Sequence, residues 1–154
     1  MTRIPLSAGA VSYTLDGLPA VAGRLDRSGE ADIGALLYFN YPSSWNHFLG
    51  DHALSFRVLP LGPNETLVTT KWLVPESAVE GVDYDLERLT KVWIATNDQD
   101  RRLVEGAQAG VNSPSYEPGP YSEVAEHGVC QFDDWYCVTL LERLQGPIPL
   151  QSVG

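Results

Sequence analysis

One acidic side chain stands out among the residues able to do chemistry in this 154-residue chain. A helical pattern runs over about residues 84–108, with Asp83 as its expected N-cap and Gly110 where a terminator should fall. Successive helical residues turn by about 100°. With Leu89 at zero, Trp93, Thr96, Leu103, Val104 and Ala107 fall within about 60° of it and form one apolar stripe. Asp100 falls at about 20°, inside that stripe, whereas Asp98 and Glu105 fall at about 180° and 160°, toward water. An ionised carboxylate on an apolar face needs a metal ion, a buried arginine or a helix-end partner to offset its lost hydration. A salt bridge or a kinked helix would answer as well as a metal. Arg101 and Arg102 point away from the stripe and are poor partners.

Two histidines form a second candidate. His47 and His52 have the spacing His-x4-His, but a five-residue offset along one strand puts side chains on opposite faces, unless Gly50 introduces a bulge. They are not taken as a metal pair, although His52 can line a ligand cavity. His127 lies in a polar stretch and is expected at the surface. Cys130 and Cys137 are too few for a disulfide framework or a zinc cluster, and read as a buried thiol and a helix residue. Four tryptophans and seven tyrosines offer aromatic faces, of which Tyr38, Trp72, Trp93 and Tyr136 are candidates for one shared cavity.

The elements that must position these residues follow from periodicity. Residues 11–15 alternate and end at Asp16-Gly17, which predicts a short strand; residues 19–32 predict a loop. Residues 35–39 are an apolar strand stopped by Asn40-Tyr41-Pro42-Ser43-Ser44. Residues 45–49 lead through Gly50-Asp51 into a strand over 52–59, with Leu54, Phe56 and Val58 on one face. Residues 60–65 predict a hairpin loop, and β-branched and aromatic 66–74 the strongest strand. After the long helix, 112–120 predict a loop and 129–132 a short extended piece. Asp133 or Asp134 then caps a second helix over 135–144, with Val138, Leu141 and Leu144 inward, and an irregular tail follows Gly146. Strands first and helices after give an α+β class: a curved antiparallel sheet packed on a long helix, treated as one domain over residues 1–154.

The net charge of −10 excludes a nucleic-acid partner, whose phosphates want a basic face, and is compatible with a small cationic ligand. No apolar run reaches the roughly 18 residues that span a bilayer, and the opening Met1-Thr2-Arg3-Ile4-Pro5-Leu6 has no apolar export core. No membrane association and a cytoplasmic location are expected.

Several pieces in order resemble the C-terminal catalytic region of Rieske-type ring-hydroxylating oxygenase alpha subunits. They are Asp51-His52 with Phe56-Arg57-Val58-Leu59-Pro60, Thr66 leading to Trp72-Leu73-Val74, Asn97-Asp98-Gln99-Asp100 with Glu105 and Gln108-Ala109-Gly110, then Ser113, Tyr116-Glu117-Pro118-Gly119-Pro120-Tyr121, and Phe132 with Trp135-Tyr136. The match covers about residues 11–144, and residues 41–108 are most similar to the branch that demethylates glycine betaine and related quaternary amines. The resemblance implies a partial helix-grip, START-like domain and O2-dependent N-demethylation. In that family two histidines and one carboxylate hold a mononuclear Fe(II), and Asp100 matches the carboxylate. The histidine pair lies ahead of the matched region, and Ser44 stands where an acidic residue would precede a first ligand at His47. Cys-x-His and Cys-x-x-His motifs for a 2Fe-2S cluster do not occur here, so the Rieske domain is absent and the chain cannot bind that cluster. The implied partners are an upstream Rieske-containing half or a full-length paralogue, a flavin and iron–sulfur reductase, a small cationic substrate, and a trimeric assembly. No catalytic residue is assigned. The alternative is a non-catalytic helix-grip binding module or an assembly remnant.

Overall fold

The computed structural model describes residues 1–25, 33–122 and 124–146. The part of the expected 19–32 loop from residue 26 on, and the tail after Gly146, lie outside them. The chain forms two compact units, Met1–Pro114 and Ser115–Gly154. The first holds an antiparallel meander, β1 (Thr2–Ile4), β2 (Ala35–Asn40), β3 (Ser44–Phe48), β4 (Ala53–Gly62) and β5 (Glu65–Leu73), each strand pairing with the next. It also holds the long helix α1 (Leu86–Val111). Strands followed by helices make the fold α+β, as the sequence implied.

Side chains alternate across the sheet, so register decides what meets beneath the helix. Leu37 pairs with His47, His47 with Leu54, and Leu54 with Trp72, making one rung across four strands. Trp45, Phe56 and Thr70 continue the next rung. Ala35, Leu49, Leu54 and Phe56 are buried there, and Leu6, Tyr13, Leu37, Trp45, Trp72 and Trp93 pack around them. A second buried set, Ala20, Val21 and Leu89, meets Trp72, Val74, Ala78 and Tyr84. Trp72 joins the two cores.

The expected strand over 11–15 does not form. The amides of Val11 and Ser12 both donate to the Gly17 carbonyl, and Gly17 donates to Thr14. The segment closes on itself and has no free ladder to offer. Gly17 has φ +74°, and an added Cβ would lie 2.7 Å from the Ala10 Cβ, so the turn requires glycine. The short β1 takes the sheet edge instead and pairs with β2. Arg88 clamps this loop to α1 through two hydrogen bonds to Asp16, of 2.8 and 3.0 Å. Arg88, with the Leu18 amide and the Thr14 hydroxyl, holds the Asp16 carboxyl down at about 2.

Helix α1 starts later and ends later than its pattern implied. The N-cap is Asp85, whose side chain accepts from the Arg88 amide at 2.8 Å. Asp83 instead accepts from the Val79 amide and closes the preceding turn. Gly110 does not stop the helix, because it does not enter the left-handed region; Asn112 ends it, donating its amide to Gln108. The expected 60–65 loop is shorter, since β4 runs to Gly62 and β5 begins at Glu65.

The second unit contains α2 (His127–Leu144). Residues 129–132 are helical rather than extended, and Asp133 and Asp134 lie inside the helix rather than capping it. The N-cap is Glu126, whose carbonyl accepts from the Val129 and Cys130 amides. The preceding turn supplies the nucleus: the Ser122 hydroxyl accepts from the Ala125 amide while the Glu126 carboxylate accepts from the Ser122 amide. Val138, Leu141 and Leu144 are exposed, not inward. No helix among the described residues is long and apolar enough to cross a membrane.

Candidate functional site: a buried carboxylate and an aromatic cluster

The turn between β3 and β4 buries Asp51. Its carboxylate accepts from the Ser12 hydroxyl at 2.9 and 3.0 Å, from the Ala20 amide at 2.7 Å and from the Val21 amide at 3.3 Å. His52 Nδ1 lies 3.1 Å from the same carboxylate and donates to it. Burial pushes the Asp51 carboxyl up, but the His52 hydrogen bond and charge, the Ala20 amide and the Ser12 hydroxyl outweigh it and bring it below the ordinary carboxylate value. One carboxylate thus ties the loop containing Ser12 and the loop containing Ala20 to the β3–β4 turn. Ser12 in turn fixes its neighbour Tyr13 over the sheet.

Tyr13 belongs to an aromatic cluster. Its ring centre lies 5.9 Å from His47 and 5.6 Å from Trp93, both edge-on. Trp93 lies 5.0 Å from His47 and 4.8 Å from Phe56, and Phe56 stacks on Trp45 at 5.1 Å. Burial pushes the His47 imidazole below the ordinary histidine value, so it is neutral at physiological pH, and raises the Tyr13 hydroxyl. The cluster is therefore a largely buried, aromatic and uncharged layer beside an anionic hub. Two surface hollows near Arg88, lined by Leu15, Asp85, Glu87, Arg88 and Lys91 and by Ala20 and residues 81–85, contain none of the cluster rings.

The residues singled out in the sequence separate. Trp72 and Trp93 reach the same buried layer. His52 is fully buried beside Asp51. Tyr38 pairs with Asn46 on the opposite face of the sheet from Leu37 and His47, and is exposed. Tyr136 belongs to the second unit, where its ring lies 6.1 Å from Phe132. Cys137 is exposed and Cys130 half-buried, both unpaired thiols on α2. His127 is exposed, at the first turn of α2.

Two expectations are corrected. His47 and His52 both turn inward, because the hairpin reverses the chain between them and they do not share a strand. Asp100, expected on a buried stripe, is exposed. The stripe is real as far as Asn97, which donates to the Thr70 hydroxyl at 3.0 Å. Beyond it every residue of α1 is exposed, including Leu103 and Val104. Asp98 pairs with Arg101 on the surface, the water-facing placement expected of it.

Among the described residues, no three His, Cys, Asp or Glu side chains gather around a common point. Asp100 stands apart from the two inward histidines, and His52 is engaged by Asp51. The residues present therefore do not by themselves fit an iron ion, which the two-histidine, one-carboxylate arrangement requires three ligands to hold.

The meander carries the long helix on its buried face, with the aromatic cluster between them. Residues 4–141 match the ring hydroxylating alpha subunit (catalytic domain) family, and the chain belongs to that family. The glycine betaine monooxygenase oxygenase subunit of Chromohalobacter salexigens is 56% identical over 149 residues, covering 97% of this chain and 34% of that protein. The subunit of the same description from Pseudomonas aeruginosa is 51% identical over 144 residues, covering 94% and 34%. The chloroplastic choline monooxygenase of Spinacia oleracea is 27% identical over 133 residues, covering 84% and 29%. The chain spans 34% of the length of the glycine betaine monooxygenase subunits it matches.

The residues that sequence reasoning missed are Ser12, Tyr13 and His47 as parts of the buried layer and Asp51 as its charged hub. A Gly-Asp pair between two apolar strands was the available signal for Asp51, and it reads as an ordinary turn.

Proposed function

We propose that this chain is the C-terminal catalytic-domain portion of a Rieske non-haem iron oxygenase that removes an N-methyl group from glycine betaine or a related quaternary amine. The observation that carries the reading is the 51–56% identity to glycine betaine monooxygenase oxygenase subunits across nearly the whole chain. The aromatic cluster supports it, since a quaternary ammonium offers no hydrogen-bond donor and is held by aromatic faces. In the overall reaction one oxygen atom of O2 enters a methyl C–H bond and the other leaves as water. Two electrons come from a reductase of the flavin and iron–sulfur class, and two protons from solvent. The N-hydroxymethyl ammonium then breaks its N–CH2 bond and loses the hydroxyl proton, releasing formaldehyde and the tertiary amine with one methyl group fewer.

In this reading Asp100 is the carboxylate ligand of the iron, presented on the open half of α1. A Rieske-containing remainder supplies the two histidines and the cluster, and covers the exposed Leu103 and Val104. The assembly is a trimer, and the setting is the cytoplasm, where Cys130 and Cys137 remain thiols. The test is to assemble the chain with the Rieske-containing part of a relative and supply reductase, O2 and glycine betaine. Formaldehyde release and one mononuclear iron per assembly are expected, and Asp100→Asn should remove both. No formaldehyde from any methylated amine, or full iron loading in Asp100→Asn, overturns the reading. A chain that binds the amine without turnover in any assembly would instead be the binding module.

A further inference from the structure

Four ring nitrogens in the buried layer have no hydrogen-bond partner among the described residues: His47 Nδ1, His52 Nε2, Trp72 Nε1 and Trp93 Nε1. Leaving a buried donor unpaired costs about 1–3 kcal/mol, and native proteins keep few of them. Packing accidents are a poor account of four in one small domain. Three of the four lie along the same buried face of the sheet. His47 and Trp72 flank Leu54 on a single rung, and Trp93 lies against His47 from the helix side.

The chemistry of these three is one-sided. An indole nitrogen only donates, and a neutral imidazole can place its proton on Nδ1 and donate as well. Donors with no acceptor of their own suit a carboxylate, which only accepts and offers about four lone pairs. The faces of Tyr13, Phe56 and Trp93 adjoin them and suit a methylated ammonium. A ligand that uses both halves must carry a carboxylate and a quaternary nitrogen a short distance apart.

We propose that the Trp72 and Trp93 indole N–H groups, with His47, form the carboxylate-recognising half of the substrate site and make it select a betaine-type zwitterion over a choline-type cation. The inference deepens the glycine betaine reading and rests on it for the substrate class. Choline presents the same trimethylammonium head but ends in a hydroxyl, which forms weaker hydrogen bonds with these donors than a charged acceptor does.

The test uses the 154-residue chain itself, labelled with nitrogen-15. Its four tryptophans give four indole N–H signals, assigned with Trp72→Phe and Trp93→Phe. Glycine betaine should move the Trp72 and Trp93 signals saturably and leave that of Trp135 in place. Choline should bind at least about tenfold more weakly, the worth of one hydrogen bond to a charged group. Each Phe variant keeps a ring but loses the N–H, so its affinity for betaine should fall about tenfold more than its affinity for choline. Failure of both signals to move with betaine, or equal binding of choline, overturns the proposal. Those results would leave the oxygenase reading standing, because that reading is judged by formaldehyde and iron in the assembled enzyme.

Discussion

Helix α1 has two halves with opposite surroundings. From Leu89 to Asn97 it lies on the sheet: Leu89 is buried, Trp93 rests on Phe56, and Asn97 bonds to Thr70. From Asp98 to Val111 every residue is exposed, although Leu103, Val104 and Ala107 continue the same stripe. The sheet repeats the difference, with Leu54 and Phe56 fully buried but Leu59, Leu61, Leu67 and Val68 at the distal end of the β4–β5 hairpin exposed. A periodic stripe records what a helix is built to cover. It does not record whether this chain supplies the cover. The inner half is covered by the sheet, and the outer half leaves Leu103 and Val104 uncovered among the described residues.

The comparison breaks first at its core. Phe56→Ala should destabilise the chain by about 3–5 kcal/mol, because a fully buried ring is lost and the cavity cannot close against the rung. Leu103→Ala should change the stability of the chain by less than about 0.5 kcal/mol. Denaturant unfolding followed by circular dichroism measures both, and similar costs for the two would erase the distinction between the halves. Next in size is Asp51→Ala, expected to cost about 3 kcal/mol by stranding the Ser12 hydroxyl, two amides and His52. The folded Asp51 pKa is lowered, so its contribution is fully present above the unfolded value of about 3.8 and is lost as pH falls through the lower folded value. Acid unfolding of Asp51→Asn should lack that component; an unchanged acid limb would mean that the hub does not carry charge.

How much of this was legible in the sequence depends on distance along the chain. The strands β3 to β5 could be read because alternation and β-branched residues are local signals. Residues 11–15 alternate just as well, yet Gly17 captures their amides, and nothing in the pattern distinguishes a ladder from a closed turn. The start of α2 was lost because no face of that helix is buried and its cap has no side-chain hydrogen bond, so the usual marks are missing. Asp51 was invisible for a different reason. Its donors Ser12, Ala20 and Val21 lie 30 to 39 residues away, and only their convergence turns a turn residue into a hub. The wheel put Asp100 on the stripe of Leu89 and Trp93, but periodicity says nothing of where the opposing sheet stops, and Asp100 lies exposed beyond it.

A smaller effect sharpens the inner half. Burial lowers the folded pKa of His47, so the unfolded chain takes up a proton first as pH falls. Stability contributed by the neutral ring is complete above the unfolded value of 6.5 and declines below it toward the folded value. Melting temperatures measured from pH 8 to 5 should therefore fall in the lower part of that range, and His47→Phe should flatten the profile. A profile already flat in the unaltered chain would place His47 in contact with water.

The smallest expected effect on folding belongs to the residue that matters most for the proposed chemistry. Asp100 is exposed and makes no described contact with the sheet, so Asp100→Asn should leave the stability of the chain within about 0.5 kcal/mol of the unaltered protein. A buried carboxylate behaves differently, as Asp51 shows, because its hydrogen-bond partners are already in place. If the outer half of α1 is completed by another part of the enzyme, the same substitution should be silent in the chain alone and drastic in the assembly, where iron content reports it. A stability loss of several kcal/mol in the isolated chain would show instead that Asp100 is bound within this unit, and the division of α1 into a finished half and an open half would fail at the residue chosen to represent it.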